Sequence, residues 1–321
     1  MGHILGMDIG GTKCAVILGL YGNKNIIILE RSEFPTKNYK TPEKVIEQLC
    51  RSSETVLKKY GLAKSDLRGI GISCGGPLDS KNGIILGPPN LPGWEYVEIV
   101  KIIKQYFEVP CRLQNDANAG ALAEWRFGVA QGREHVVFLT LGTGCGAGII
   151  VNGQIYTGAN DNAGECGHIR MADYGPSGYG KYGSMEGFCS GGGIVQLGNM
   201  VGLSYMQTGR DTRLASYIQS GKMSAKDIAR MAREGDAASQ EVFQIVGHQL
   251  GQGVSLIIDF LNPEMIVLGG LYMRCEDLLK REMEHVIKKE SIRGSIAACE
   301  VVPAALGEQI GDYAALATAL N

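Results

Sequence analysis

Met7-Asp8-Ile9-Gly10-Gly11-Thr12-Lys13 lies between two apolar runs, and Leu139-Thr140-Leu141-Gly142-Thr143-Gly144 repeats its plan later in the chain. Strand-like residues precede each copy, Ile4 and Leu5 in the first and Val136 to Leu139 in the second. Each is followed by an apolar stretch, Cys14 to Leu20 and Gly146 to Val151, then by a polar turn and a third extended run. A glycine turn between strands bares backbone N–H groups, which suits bound phosphate. Tight hairpins also use glycine for purely structural reasons. Two copies, each with an adjacent threonine (Thr12, Thr143), suggest a clamp holding a nucleotide between two related halves.

Two common phosphate loops fit poorly. The Rossmann glycines open a helix, whereas here β-branched residues and Asn152-Gly153 favour strands. A Walker A loop needs Ser or Thr after its lysine, and Cys14 follows Lys13.

The 321 residues allow two domains, and 45% hydrophobic with 20% charged residues is ordinary for a globular enzyme. Thirty-one basic against 33 acidic residues, a net charge of −2, give no sign of nucleic-acid or membrane partners. No apolar run approaches the roughly 18 residues of a membrane span, and no secretory signal is recognised before the first strand. Nine scattered cysteines without a CxxC read as reduced thiols, so a cytoplasmic protein is expected. The 46 glycines concentrate in 69–93, 142–193 and 247–270, as ligand-approaching turns would.

Along the chain, residues 4–34 read as a three-stranded meander. Thr41 and Pro42 open a helix that Gly61 ends. A strand over 67–73, a helix over 96–107, a strand near 111–114 and a helix over 117–127 follow. A second meander spans 136–157, and 158–193 reads as a long glycine-rich loop, a feature that is usually functional. Helices dominate 194–260, one capped by Ser224; Met265 to Leu268 is a strand, 275–289 a helix, 299–302 a strand and 307–320 a final helix. Two such series argue for two α/β domains of shared architecture with a cleft between them.

Asn115-Asp116-Ala117-Asn118 follows a strand and opens a helix. On these residues alone it reads first as an N-cap, and second as a carboxylate placed to take a hydroxyl proton. Glu165 and His168, on glycine-rich backbone, suit either sugar hydroxyls or a solvated loop. Their order and spacing exclude an HExxH zinc helix. Asn90, in Pro89-Asn90-Leu91-Pro92-Gly93-Trp94, is a turn former or a ligand contact.

Together these pieces resemble the ROK family of bacterial sugar kinases and sugar-responsive repressors. The matching segments are Asp8 to Lys13, Pro89 to Trp94, Asn115 to Asn118, Leu141 to Gly148, Ala163 to His168 and Asn262 to Gly270, in family order. The resemblance implies the two-domain actin-like, hexokinase-like ATPase fold (ribonuclease H-like) with an interdomain cleft. The smaller domain is expected over 1–117 plus 305–321, the larger over 118–304. It implies that Asp116 is the general base on a sugar 6-hydroxyl and that Asn90, Asn115, Glu165, His168 and Glu186 hold the sugar. Asp8, Gly11, Thr12, Lys13, Thr143 and Gly144 would surround the phosphates of Mg-ATP, with Gly192, Gly193 and Gly270 near the adenosine. A hexose, glucose first, is the expected substrate; fructose, mannose, N-acetylmannosamine or a β-glucoside are alternatives. A homodimer is implied.

One departure stands out. Family members commonly carry a zinc knuckle, Cys-x-Cys-Gly-x-x-Gly-Cys-x-Glu. Here the stretch is Ser177-Gly178-Tyr179-Gly180-Lys181-Tyr182-Gly183-Ser184-Met185-Glu186. The thiolates are gone and hydroxyls ligate zinc poorly, so no structural zinc is expected. Cys166 and Cys189 would rescue a site only through an unfamiliar spacing. Local packing, with Tyr179 and Tyr182 as candidates, must then organise the loop. The rival reading is a sugar-sensing repressor, which needs a helix-turn-helix; the first turn begins by residue 8, where no room for one is expected.

Overall fold

The computed structural model describes residues 1–321. In chain order the first part contains β1 (Gly2–Ile9), β2 (Lys13–Gly22), β3 (Asn25–Pro35), α1 (Pro42–Lys59), β4 (Leu67–Cys74), β5 (Leu78–Asp79), β6 (Ile84–Ile85), α2 (Ile99–Phe107), β7 (Cys111–Asn115) and α3 (Asp116–Phe127). Then come β8 (Val136–Leu141), β9 (Cys145–Val151), β10 (Gln154–Tyr156), β11 (Ser177–Gly178), β12 (Lys181–Tyr182), α4 (Met185–Cys189), α5 (Gly191–Gln207), α6 (Leu214–Ser220), α7 (Ala225–Arg233) and α8 (Ala237–Leu261). The chain closes with β13 (Met265–Gly270), α9 (Leu271–Glu290), α10 (Arg293–Ala298), β14 (Glu300–Pro303) and α11 (Ile310–Thr318).

Two five-stranded sheets organise the chain, in the orders β3-β2-β1-β4-β7 and β10-β9-β8-β13-β14. Packing divides it into two compact units: 1–134 with 148–163 and 305–321, and 135–147 with 164–304. The division crosses β9 after Ala147. It also differs from the expected boundary at 117/118, because α3 packs on α11 and so groups residues 118–134 with the first unit.

In the first unit, alternate residues of β1 and β2 face opposite sides, as a strand period of two requires. Leu5, Met7, Ile9, Val16 and Leu18 pack with Val45 and Leu49 of α1, whereas Ile4, Ala15 and Ile17 pack with Ala315 and Leu316 of α11. The α11 side depends on missing side chains. A Cβ at Gly71 would lie 2.1 Å from the Ala315 carbonyl oxygen, and one at Gly6 would lie 2.9 Å from the Ala315 Cβ. Glu124, fully buried in α3, ties down the returning chain: its two oxygens accept from the N–H groups of Leu306 (2.9 Å) and Val129 (3.0 Å).

Several boundaries depart from the sequence reading. The helix expected from 96 starts at Ile99 because Val97 bridges to Ile85 in extended form. Thr41 stands at the N-cap of α1 without capping it; its hydroxyl engages Glu43. The loop expected over 158–193 contains the β11–β12 hairpin, α4 and the first turn of α5. The helix expected from 275 begins at Leu271, directly after Gly270 (φ +66°), and kinks at Cys275. No helix is long and apolar enough to cross a membrane.

Candidate functional site

The candidate residues fall into two sets, one in each unit. In the first unit, parallel registers align Asp8 with Ser73 and Ser73 with Gln114, and align Ile9 with Cys74 and Cys74 with Asn115. Asp8, Asn115 and Asp116 therefore share the carboxyl end of one sheet, where open α/β folds bind ligands. The Gly10-Gly11-Thr12 turn is closed by Gly10 N–H donating to the Lys13 carbonyl (3.1 Å) and braced by the Thr36 hydroxyl donating to the Gly10 carbonyl (2.6 Å). Gly11 is required by close approach, since a Cβ there would lie 2.3 Å from the Asn90 backbone oxygen. The structure thus seats Asn90 against the first turn, a contact that local sequence pattern does not reveal. Lys13 points its ammonium to Glu33 (3.1 Å).

Asn115 does cap α3, its side chain accepting from Asn118 N–H (2.7 Å). That leaves Asp116 at the first helical position. Its side chain reaches solvent, yet the protein packed around it pushes its carboxyl above the usual range. One oxygen accepts from Ala117 N–H at 2.9 Å. Burial, with Asp312 and Asp116 nearby, raises Asp8 to about 7, against the smaller opposing pull of Arg31 and Lys13. Asp312, unmarked in the sequence reading, is itself buried and takes Arg31 at 2.9 Å.

In the second unit the corresponding turn is closed by Gly142 N–H donating to the Gly144 carbonyl (2.8 Å). Glu186 reaches this turn: it accepts from Cys145 N–H at 3.0 Å. Gly191 N–H donates to the Gly142 carbonyl (2.9 Å), which joins the start of α5 to the turn. Ser190 caps that helix by accepting from Gly193 N–H (3.1 Å). Gly193 must lack a side chain, because a Cβ would lie 1.9 Å from the Gly187 oxygen; Gly192 faces open space. Gly270 pairs in register with Leu141, so the second turn and Gly192, Gly193 and Gly270 share one end of this sheet. Thr143 is exposed there.

Glu165 and His168 are exposed on a short segment pressed against β9, where Gly164 (φ +91°) meets the Ala147 backbone. The stretch aligned with the zinc knuckle is organised by packing. Tyr179, in left-handed backbone (φ +44°), meets the His168 ring edge-on at 6.3 Å. Lys181 donates to the His168 carbonyl (2.6 Å), Arg170 to the Tyr182 carbonyl (3.0 Å), and Ser184 caps α4.

No three His, Cys, Asp or Glu side chains converge to hold a metal by themselves. Mg²⁺, however, ordinarily takes only one or two carboxylates and completes its shell with water and substrate phosphates. The crowding of Asp8 by Asp312 and Asp116 fits such an ion, since a bound cation relieves that repulsion.

The sequence pattern of the ROK family matches residues 4–321. A glucokinase from Halalkalibacterium halodurans is 29% identical over 310 residues, 96% of this chain and 92% of that protein. A ROK family glucokinase from Streptomyces griseus, solved with glucose and AMPPNP, is 27% identical with a TM-score of 0.75 over 99% of each chain. A ROK family transcriptional regulator, a homolog of the Escherichia coli MLC protein, is 25% identical with a TM-score of 0.81, covering 98% of this chain and 77% of that one. The fold is the two-domain actin-like ATPase fold.

Proposed function

The chain belongs to the ROK family, and from that premise we propose that it is an ATP-dependent kinase acting on the 6-hydroxyl of a hexose, glucose being the first candidate. The observation that carries this reading is Asp116: a carboxylate at the first turn of α3, with a raised pKa and solvent access. An upward shift makes a carboxylate a stronger base for a hydroxyl proton. Asp116 takes the hydroxyl proton as the sugar oxygen attacks the γ-phosphorus of ATP. Asn90, Asn115, Glu165, His168 and Glu186 serve the sugar. Gly11, Thr12, Lys13, Thr143 and Gly144 serve the phosphates, while Gly192, Gly193 and Gly270 leave room for the adenosine. Backbone N–H groups of the two turns stabilise charge that develops on the transferred group. Asp8 would hold Mg²⁺, which neutralises phosphate charge when bound.

The similarity to a glucokinase solved with glucose and AMPPNP supports the donor and the sugar class. The similarity to a transcriptional regulator defines the competing reading. A coupled ADP-release assay over glucose, mannose, fructose and N-acetylmannosamine separates the two. ADP release with one sugar supports the kinase, whereas sugar binding without ADP release assigns the chain to the sensing branch. A homodimer is proposed as well, and light scattering tests it.

A further inference from the structure

Lys13, whose carbonyl closes the first glycine turn, belongs to a chain of ion pairs within the first unit. A strand period of two puts Lys13, Ala15 and Ile17 of β2 on one face, and the antiparallel register sets Pro35, Glu33 and Arg31 of β3 opposite them. That is the face α11 covers, since Ala15 and Ile17 pack with Ala315 and Leu316. Glu33 is therefore the diagonal neighbour of Lys13, a separation that long side chains span. The two meet, with the Lys13 ammonium 3.1 Å from a Glu33 oxygen. The same oxygen takes the Arg31 guanidinium at 2.6 Å, and Arg31 also reaches the buried Asp312 of α11 at 2.9 Å.

An isolated exposed ion pair contributes little, because holding two long side chains together costs entropy. Lys13 and Glu33 are both exposed, but Glu33 is already fixed by Arg31, which Asp312 holds from the other end. The acid facing Lys13 is thus set in place by the fold. On the proposed reading Lys13 serves the phosphates of ATP. Carboxylate and phosphate then compete for one ammonium, since an acid in contact with it offsets charge that the phosphate would otherwise meet.

We propose that Glu33 is a positioning residue that holds the Lys13 ammonium and so restrains ATP binding. It touches no substrate and acts through Lys13. The inference rests on the kinase reading for its ligand, and on the ion pairs of Lys13, Glu33, Arg31 and Asp312 for its geometry.

The test is a double-mutant cycle read by calorimetric titration of Mg-ATP into the wild type, Glu33→Gln, Lys13→Gln and the double variant. Glu33→Gln is expected to bind about two- to fivefold more tightly than the wild type, the size of an exposed ion pair. Lys13→Gln should bind about tenfold more weakly, because a hydrogen bond to a charged group is lost. In the Lys13→Gln background the Glu33 substitution loses most of its gain. A merely structural Glu33 would lower Tm and show no such coupling. In the ADP-release assay Glu33→Gln lowers the ATP KM and leaves kcat and sugar KM level. A Glu33→Gln variant that binds no more tightly than the wild type, or gains equally in both backgrounds, overturns the inference. With Lys13→Gln weakened, that result leaves the kinase reading intact. Lys13→Gln binding like the wild type, or a wild type that binds no Mg-ATP, removes the phosphate role of Lys13 itself and the restraint with it.

Discussion

The Gly10-Gly11-Thr12 turn and the Gly142-Thr143-Gly144 turn share a sequence plan, yet their surroundings differ. Acids crowd the first: Asp8 is raised to about 7 beside Asp312 and Asp116. Beside the second lie a single carboxylate, Glu186, which takes the Cys145 N–H, and the start of α5, where Gly191 is hydrogen-bonded to the turn itself. A helix N-terminus favours negative charge, whereas crowded carboxylates favour a cation or a proton. On the proposed reading both turns serve phosphate, and only the first has carboxylates crowded enough to favour a proton or a cation beside it.

The strongest way to break this contrast is Asp116→Asn. If the first unit carries the chemistry, kcat falls by about 10²–10⁴-fold in the ADP-release assay while sugar KM moves little. A variant retaining near-normal turnover removes Asp116 from its role. Next in size is a pair of glycine substitutions. Gly193→Ala places a Cβ 1.9 Å from the Gly187 oxygen, backbone against backbone, and is expected to destabilise by about 1–3 kcal/mol in chemical unfolding. Gly11→Ala meets the exposed Asn90 loop, so its loss of stability should be smaller and its effect on sugar and ATP KM larger.

Asp8 supplies a pH test. Its pKa rises from 3.8 to about 7 on folding. Between those values the folded chain keeps a proton that the unfolded chain has lost, so folding gains least at high pH. This stability is present in full below the unfolded pKa and is lost as pH rises through about 7. The ligand-free Tm should therefore decline from pH 5 to 8, and Asp8→Asn should flatten that decline. Mg-ATP affinity should rise over the same range as Asp8 loses its proton. The smallest effect is reserved for Thr143→Ala, where losing one hydroxyl hydrogen bond to a charged phosphate at an exposed position predicts an ATP KM about tenfold higher with kcat unchanged.

Much of this was legible in residue order. Alternation over 4–34 and 136–157 gave the two meanders, and the glycine turns marked the sheet ends that carry Asp8 and Thr143. Partners distant in sequence were not legible. Nothing near Glu186 announces that its carboxylate takes the Cys145 N–H, or near Gly11 that Asn90 presses on it. Strands of two residues, as in the 177–182 hairpin, are too short for any period to show. Three successive glycines argue against a helix on propensity, yet α5 starts with Gly191, Gly192 and Gly193; of these Gly193 alone packs so closely on Gly187 that nothing larger fits.

The grooves over Gly6 and Gly71 are filled by a helix encoded after every residue of the second unit. As the chain leaves the ribosome, its opening sheet must wait, one flank bare, until α11 arrives to cover it. A fragment ending near residue 304 would keep the strands and every proposed catalytic and binding residue, and still lack the lining that makes them a stable body. Stepwise truncation followed by hydrogen exchange on β1 and β4 would show protection appearing only when 310–318 are present.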